Sequence, residues 1–149
     1  MSFTTQQRQH WMSVLAHAPT DELLGLSETA VQEFGFEMIR APEVGLTQVR
    51  ARMGNTGDQF NLGDMTLTRC VVRSSLNTVG YGYIGGRNKA HARRAAELDA
   101  LLQDAQMGEA LMERVIRPIE ALQRAARAEQ QQQTDATRVD FFTLVRGED

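Results

Sequence analysis

Between Phe36 and Ile84 stretches such as Val49–Met53 and Val79–Tyr83 alternate at every second position, whereas on either side apolar residues recur every three or four. A chain that changes period in this way must build a sheet and flank it with helices, an α+β arrangement. Within Leu46–Met53, Thr47, Val49, Ala51 and Met53 fall on one side, and Gln48, Arg50 and Arg52 on the other. Phe36–Ala41 and Leu46–Met53 read as two strands joined by a turn at Pro42–Gly45. Gly54–Asp58 is turn chemistry. Further strands are expected over Asp64–Ser74 and Thr78–Ile84, turning at Leu76–Asn77. Connections this short require antiparallel pairing, because parallel strands need long crossovers. Residues 36–84 should therefore form a four-stranded antiparallel meander.

Residues 1–35 read as helical. Trp11, Met12, Leu15 and Ala16 share one side of a helix over 5–17. A second helix follows Pro19, with Thr20 as N-cap, Leu23, Leu24, Leu26, Val31 and Phe34 as its apolar side, and Gly35 as its end. Residues 87–130 are again helical. A helix over 87–105 should bury Ala95, Leu98, Leu101, Leu102 and Ala105. Another over Gly108–Gln130 should bury Leu111, Met112, Val115, Ile116, Ile119 and Leu122, with Pro118 breaking or kinking it. A length of 149 residues makes one domain, 1–149, the expectation.

A polar connector, Gln130–Thr137, leads to an apolar C-terminal arm over 138–147. Val139–Val145 reads as a strand. Burying Phe141, Phe142, Leu144 and Val145 is worth roughly 1.5–3 kcal/mol each, and left in water the segment invites aggregation. It must dock, either on its own sheet edge or on a partner. These four residues, with Asp140 and Arg146, are candidate partner contacts, as are His10 and Trp11 on the first helix.

The net charge of −3 supplies no basic excess for nucleic acid. Fifteen of the sixteen Lys and Arg residues are arginine, the exception being Lys89. Cys70 is the one cysteine, so neither an intrachain disulfide nor a zinc ribbon is possible. No apolar run reaches membrane length, and Met1–Ala16 lacks a signal-peptide pattern, so a cytoplasmic location is expected.

Gly80, Gly82 and Gly85 fit the spacing G-x-G-x-x-G, but alternation of Val79, Tyr81 and Tyr83 places them inside a strand with no returning βαβ unit. They are better explained by close packing against a helix or a partner backbone. Arg87, Lys89 and His91 crowd a helix start, where cations oppose the helix dipole and an anion would relieve them. The alternative is a solvated helix start with Arg93–Glu97 and Arg94–Glu97 pairs. Arg50 and Arg52 share one strand side, and Arg69 and Arg73 another. They either bind an anion or pair with Glu37, Glu43 or Asp64. His10 and His17 lie two turns apart without a third ligand, so no metal site is expected. No Ser-His-Asp set, Walker loop or H-E-x-x-H motif occurs, and no catalytic residue is assigned.

Five segments carry a resemblance: Arg8–His17; Gln48–Gly54 with Thr56–Gly57; Asp64–Arg69; Gly85–His91; and Arg138–Gly147. They are similar to the PhnG family, a component of the bacterial carbon–phosphorus lyase core complex. Residues 18–34 and 103–137 match that family only in character. The resemblance implies phosphonate catabolism in a hetero-oligomer with the H, I and J subunits of that complex, most directly the I subunit, and with the L subunit in the synthase reaction. That reaction transfers a phosphonate to ribose C1 of ATP, releasing adenine and giving α-D-ribose 1-methylphosphonate 5-triphosphate. The resemblance implies no cofactor on this chain. ATP belongs to the complex and an iron–sulfur cluster to another subunit, which suits a chain with a lone cysteine. It also favours a partner, rather than the chain's own sheet, as the place where the C-terminal arm docks.

Overall fold

The computed structural model describes residues 3–55 and 57–146, apart from the side chains of Asn55 and of residues 138–146. Helices α1 (Thr5–Ala16) and α2 (Thr20–Gln32) precede strands β1 (Phe36–Arg52), β2 (Gln59–Ser74) and β3 (Val79–Gly85). Helices α3 (Lys89–Leu102), α4 (Ala105–Leu111) and α5 (Arg117–Arg146) follow, with a π-helical turn at Met112–Ile116. The α+β class and the antiparallel pairing are as expected, but among the described residues the sheet has three strands, in the order β1-β2-β3.

The two strands expected before Gly54 are one. Pro42 does not turn the chain, because β1 is an edge strand and a missing N–H costs no ladder bond on its open side. Register shifts between Met38 and Arg40, and between Arg40 and Glu43, absorb the misfit as bulges. The next strand also starts earlier than expected, at Gln59, since the antiparallel register holds down to Arg52 opposite Gln59. Gly54, at φ +58°, supplies the left-handed residue of that hairpin, and Asn77, at φ 64°, that of the next.

Helix boundaries differ where local chemistry decides. Pro19, not Thr20, is the N-cap of α2, and Thr20 is its first helical residue. Helix α2 stops at Gln32, short of Gly35. Helix α3 ends at Leu102 because Asp104 caps a new helix, accepting from the N–H groups of Gln106 and Met107; Ala105 is left exposed. Pro118 does not end the helical run. The wide π turn lies immediately before it, where the bond pattern must change because Pro118 offers no N–H to Arg114. Leu122 is exposed rather than inward.

The largest correction concerns the C-terminal arm. Residues 139–145 are not a strand, because α5 continues to Arg146. The connector Gln130–Thr137 contains neither Gly nor Pro, and four of its eight residues are Gln, a good helix former. The hydroxyls of Thr134 and Thr137 donate to the carbonyls of Gln130 and Gln133 at 3.0 Å, inside the helix. The side chains of Asp140, Phe141, Phe142, Leu144, Val145 and Arg146 lie outside the described residues.

Helices cover one side of the sheet. Trp11, Leu15, Leu23, Leu98, Leu101, Leu111, Val115, Ile116 and Ile119 form the core between helices. Cys70, Val72 and Ile84 meet Ala92, Ala96 and Ala100 of α3 at the sheet. That contact is very close. A β-carbon at Gly80 would stand 2.0 Å from the Ala96 carbonyl oxygen, and one at Gly82 would stand 2.1 Å from that of Ala92. Gly80 and Gly82 of the G-x-G-x-x-G spacing therefore admit a helix, not a nucleotide, while Gly85 faces the Met65 side chain. Gly80→Ala should destabilise the fold by about 1–3 kcal/mol or more through overpacking. Urea unfolding reads this directly, and a loss below about 0.5 kcal/mol, the ordinary surface effect, would refute the close approach.

Candidate functional site

The polar side chains of α3 are mostly committed to the fold. Asp99 is fully buried and accepts four hydrogen bonds. Arg8 donates from Nη2 at 2.8 Å and from Nε at 3.3 Å, Trp11 from Nε1 at 2.8 Å, and the Tyr81 backbone N–H at 3.0 Å. The hydrogen bond and charge of Asp99 raise the Arg8 pKa above its ordinary value, against the opposing effect of burial. The Arg8 guanidinium also lies 5.7 Å from the centre of the Tyr81 ring. Trp11 is thus a core anchor tied to α3, not a partner contact. Asp99 escaped the sequence reading, although its place four residues after Ala95 and three before Leu102 put it on the buried side of the helix.

His91 is likewise internal. Its Nε2–H donates to the Leu15 carbonyl at 2.7 Å, so Nδ1 is the acceptor for the Thr20 hydroxyl at 3.3 Å. The Asn88 amide donates to the Thr20 oxygen at 3.2 Å, and the Asn88 side-chain oxygen accepts from the His91 N–H at 3.1 Å, capping α3. His91 is therefore removed from the candidate anion site. Its ring fastens α3 to α1 and α2, and the cap already engages one of the first-turn N–H groups.

The expected Arg93–Glu97 and Arg94–Glu97 pairs form at 2.8 and 3.5 Å. Arg94 reaches further, to Glu28 at 3.0 Å and Ser27 Oγ at 2.8 Å. Its hydrogen bond and charge hold the Glu28 carboxyl below its ordinary pKa. Arg69 pairs with Glu43 at 3.6 Å and Arg73 with Glu37 at 3.4 Å, so the cross-strand alternative describes these two arginines. His10 is engaged by Glu120 of α5, while His17 Nδ1 donates to the Ser13 carbonyl at 2.9 Å. Among the described residues no group of three His, Cys, Asp or Glu is placed to hold a metal.

Among the described residues, four candidate cations remain exposed and outside any ion pair: Arg50 and Arg52 on β1, and Arg87 and Lys89 at the start of α3. The fold brings the two pairs to one end of the sheet. The Gly86 N–H donates to the Thr66 carbonyl at 2.9 Å, Thr66 lies opposite Leu46, and Leu46 leads along β1 to Arg50 and Arg52. Beyond this point β3 no longer pairs, because its register on β2 spans only Leu67–Arg73.

Fold and surface together define a small α+β domain with an internally satisfied core and a basic, partly apolar projecting end. Residues 6–147 match the family model described as "Phosphonate metabolism protein PhnG". The chain is 44% identical over 146 residues to the "Alpha-D-ribose 1-methylphosphonate 5-triphosphate synthase subunit PhnG" of Rhizobium meliloti (strain 1021), a match covering 96% of this chain and 91% of that protein. The chain belongs to the PhnG family.

Two outcomes test the assignment of the buried groups to folding. Asp99→Ala would strand Arg8 and Trp11, and should cost about 3–5 kcal/mol, the range for breaking a buried pair, in chemical denaturation. A loss below about 1 kcal/mol would show that the network is dispensable. Burial, aided by the charge of Glu97 and opposed by that of Arg93, pushes the Cys70 thiol up. A disulfide reagent at pH 8 should label Cys70 only on unfolding. Rapid native labelling would contradict its burial.

Proposed function

We infer that this chain is a subunit of the ribosyl phosphonate triphosphate synthase within the carbon–phosphorus lyase system. It supports transfer of an alkylphosphonate to ribose C1 of ATP. A phosphonate oxygen bonds to C1, the bond from C1 to adenine breaks, and the product is α-D-ribose 1-methylphosphonate 5-triphosphate. The single observation that carries this reading is the near full-length, 44% identity to a protein named as a subunit of that synthase. The proposed setting is a cytoplasmic assembly with the H, I and J subunits, joined by the L subunit for the synthase step. Chemistry resides on neighbouring subunits, the iron–sulfur cluster among them, and ATP is the substrate of the assembly.

Helix α5 supports a role in assembly. At 30 residues it is about 45 Å long, yet its last fully buried described residue is Ile119, and past Gln123 every described side chain is exposed. A helix without a packed side is marginal in water, since its stability comes mainly from tertiary packing. Its apolar end, residues 139–145, is accordingly assigned to a partner, most directly the I subunit. The core clusters end at Ile119, so a chain truncated after Arg138 should keep its thermal transition and lose partner binding in co-purification. If truncation unfolds the chain, the arm belongs to its own core.

A narrower reading, an adaptor without substrate contact, differs only at Arg87 and Lys89. If these cations face the ATP triphosphate, Arg87→Glu with Lys89→Glu should raise the KM for ATP at least roughly tenfold, the loss of one charge-assisted hydrogen bond. Adenine release by the assembled complex measures this. Normal assembly with unchanged kinetics would leave the adaptor reading.

A further inference from the structure

Strand β3 has an outer edge capped at two backbone groups. Asp99 accepts from the Tyr81 N–H at 3.0 Å, and the Gln103 side-chain amide donates to the Val79 carbonyl at 2.7 Å. Among the described residues β2 is the one strand beside β1, and no helix side chain hydrogen-bonds the outer backbone edge of its second half, Leu46–Arg52. Beyond the last β3 pair, Leu46–Arg52 and Gln59–Thr66 continue as a bare two-stranded ribbon. Eight residues of β2 in this ribbon span roughly 25 Å. A two-stranded ribbon is marginal by itself, and this one exposes large apolar side chains. Leu46 is 73%, Met53 71% and Leu62 65% exposed.

Alternation places Leu46, Gln48, Arg50 and Arg52 on one side of the ribbon, with Thr66 and Asp64 opposite Leu46 and Gln48. Arg87 and Lys89 stand at its root beside Thr66. Asp64 is the acid on that side, so cations outnumber acids there although the chain as a whole carries −3. A second copy docked by a two-fold axis would set this basic side against itself.

We propose that the ribbon, Leu46–Arg52 with Gln59–Thr66, is a docking arm for a different subunit, one that presents an apolar patch ringed by Asp or Glu. The leucines supply the desolvated contact, and Arg50, Arg52, Arg87 and Lys89 select an acidic rim. The open β1 edge lets the partner add a strand. The proposal rests on the subunit reading above.

The experiment co-expresses the tagged full chain with the H, I and J subunits and quantifies the chain recovered in the assembly by size-exclusion chromatography. Leu46→Asp, and separately Arg50→Glu with Arg52→Glu, alter exposed side chains, so the isolated chains should keep the wild-type urea midpoint. Each should cut incorporation at least tenfold. Hydrogen exchange on the wild type should slow at amides of the ribbon on assembly. Incorporation at the wild-type level by both variants, or unprotected amides in the ribbon, overturns the docking arm while leaving the subunit reading intact. Failure of the wild-type chain to assemble overturns the subunit reading itself. A wild-type dimer in isolation, dissolved by Leu46→Asp, overturns the acidic partner in favour of a second copy.

Discussion

Helix α3 rests so closely on β3 that no side chain fits between them at Gly80 and Gly82, and Ala92, Ala96 and Ala100 complete the contact. This approach sets the terms for the rest of the molecule. With α3 pressed to the sheet and covered by α1, α2 and α4, every residue from Ala95 to Leu102 is buried. A polar group there has lost its water and must find a protein partner or cost several kcal/mol. Asp99 finds Arg8, Trp11 and an edge N–H of β3. Glu97 finds Arg93 and Arg94. His91, a turn earlier, finds Leu15 and Thr20. Among the described residues no buried side-chain polar atom is left without a partner.

The bonds of Asp99 and His91 reach across the fold rather than along it. Arg8 and Asp99 are ninety-one positions apart, and Trp11 and Asp99 eighty-eight. That explains what the sequence concealed. Period and turn chemistry are local, and they sufficed for the class, the antiparallel order, the buried side of α3 and the i, i+3 and i, i+4 pairs of Arg93 and Arg94. They failed where long-range context overrode a local signal. Pro42 reads as a turn, yet an edge strand accommodates it. The glutamine run reads as a linker, yet nothing in it stops a helix. His91 reads as an exposed cation at a helix start, and Trp11 as either a core or an interface anchor. Only the placement of α1 and α2 against α3 shows both to be internal. Asp99 was legible in principle, since an acid on an apolar helix face demands an explanation.

The site residues divide along the same line. The groups that sequence reasoning would prize for chemistry, His91 and the acids of α3, are consumed by folding. The groups left over, Arg50, Arg52, Arg87 and Lys89, have charge but no geometry of their own around a reacting atom. The family match agrees with that division, because the matching protein of Rhizobium meliloti is named as a subunit of a synthase.

The two ends of the sheet's edge problem were solved differently, and the difference has physical content. Capping the edge of β3 uses Asp99 of α3 and Gln103 just past its end, which engage the Tyr81 N–H and the Val79 carbonyl. Helix α3 packs mainly over β3 and β2 and less on β1, and among the described residues no equivalent side chain bonds the outer edge of β1 along the ribbon. An open edge carrying exposed leucines is a hazard that monomeric proteins blunt with charge, bulges or cover. Here register shifts twist β1 at Met38–Glu43 and again between Val49 and Arg50, and arginines mark the second half, at Arg50 and Arg52. The arginines deter like copies through charge repulsion but leave the backbone groups unpaired. That combination discourages indiscriminate pairing while keeping the edge available to one complementary surface, which is the behaviour an obligate subunit needs before it meets its assembly.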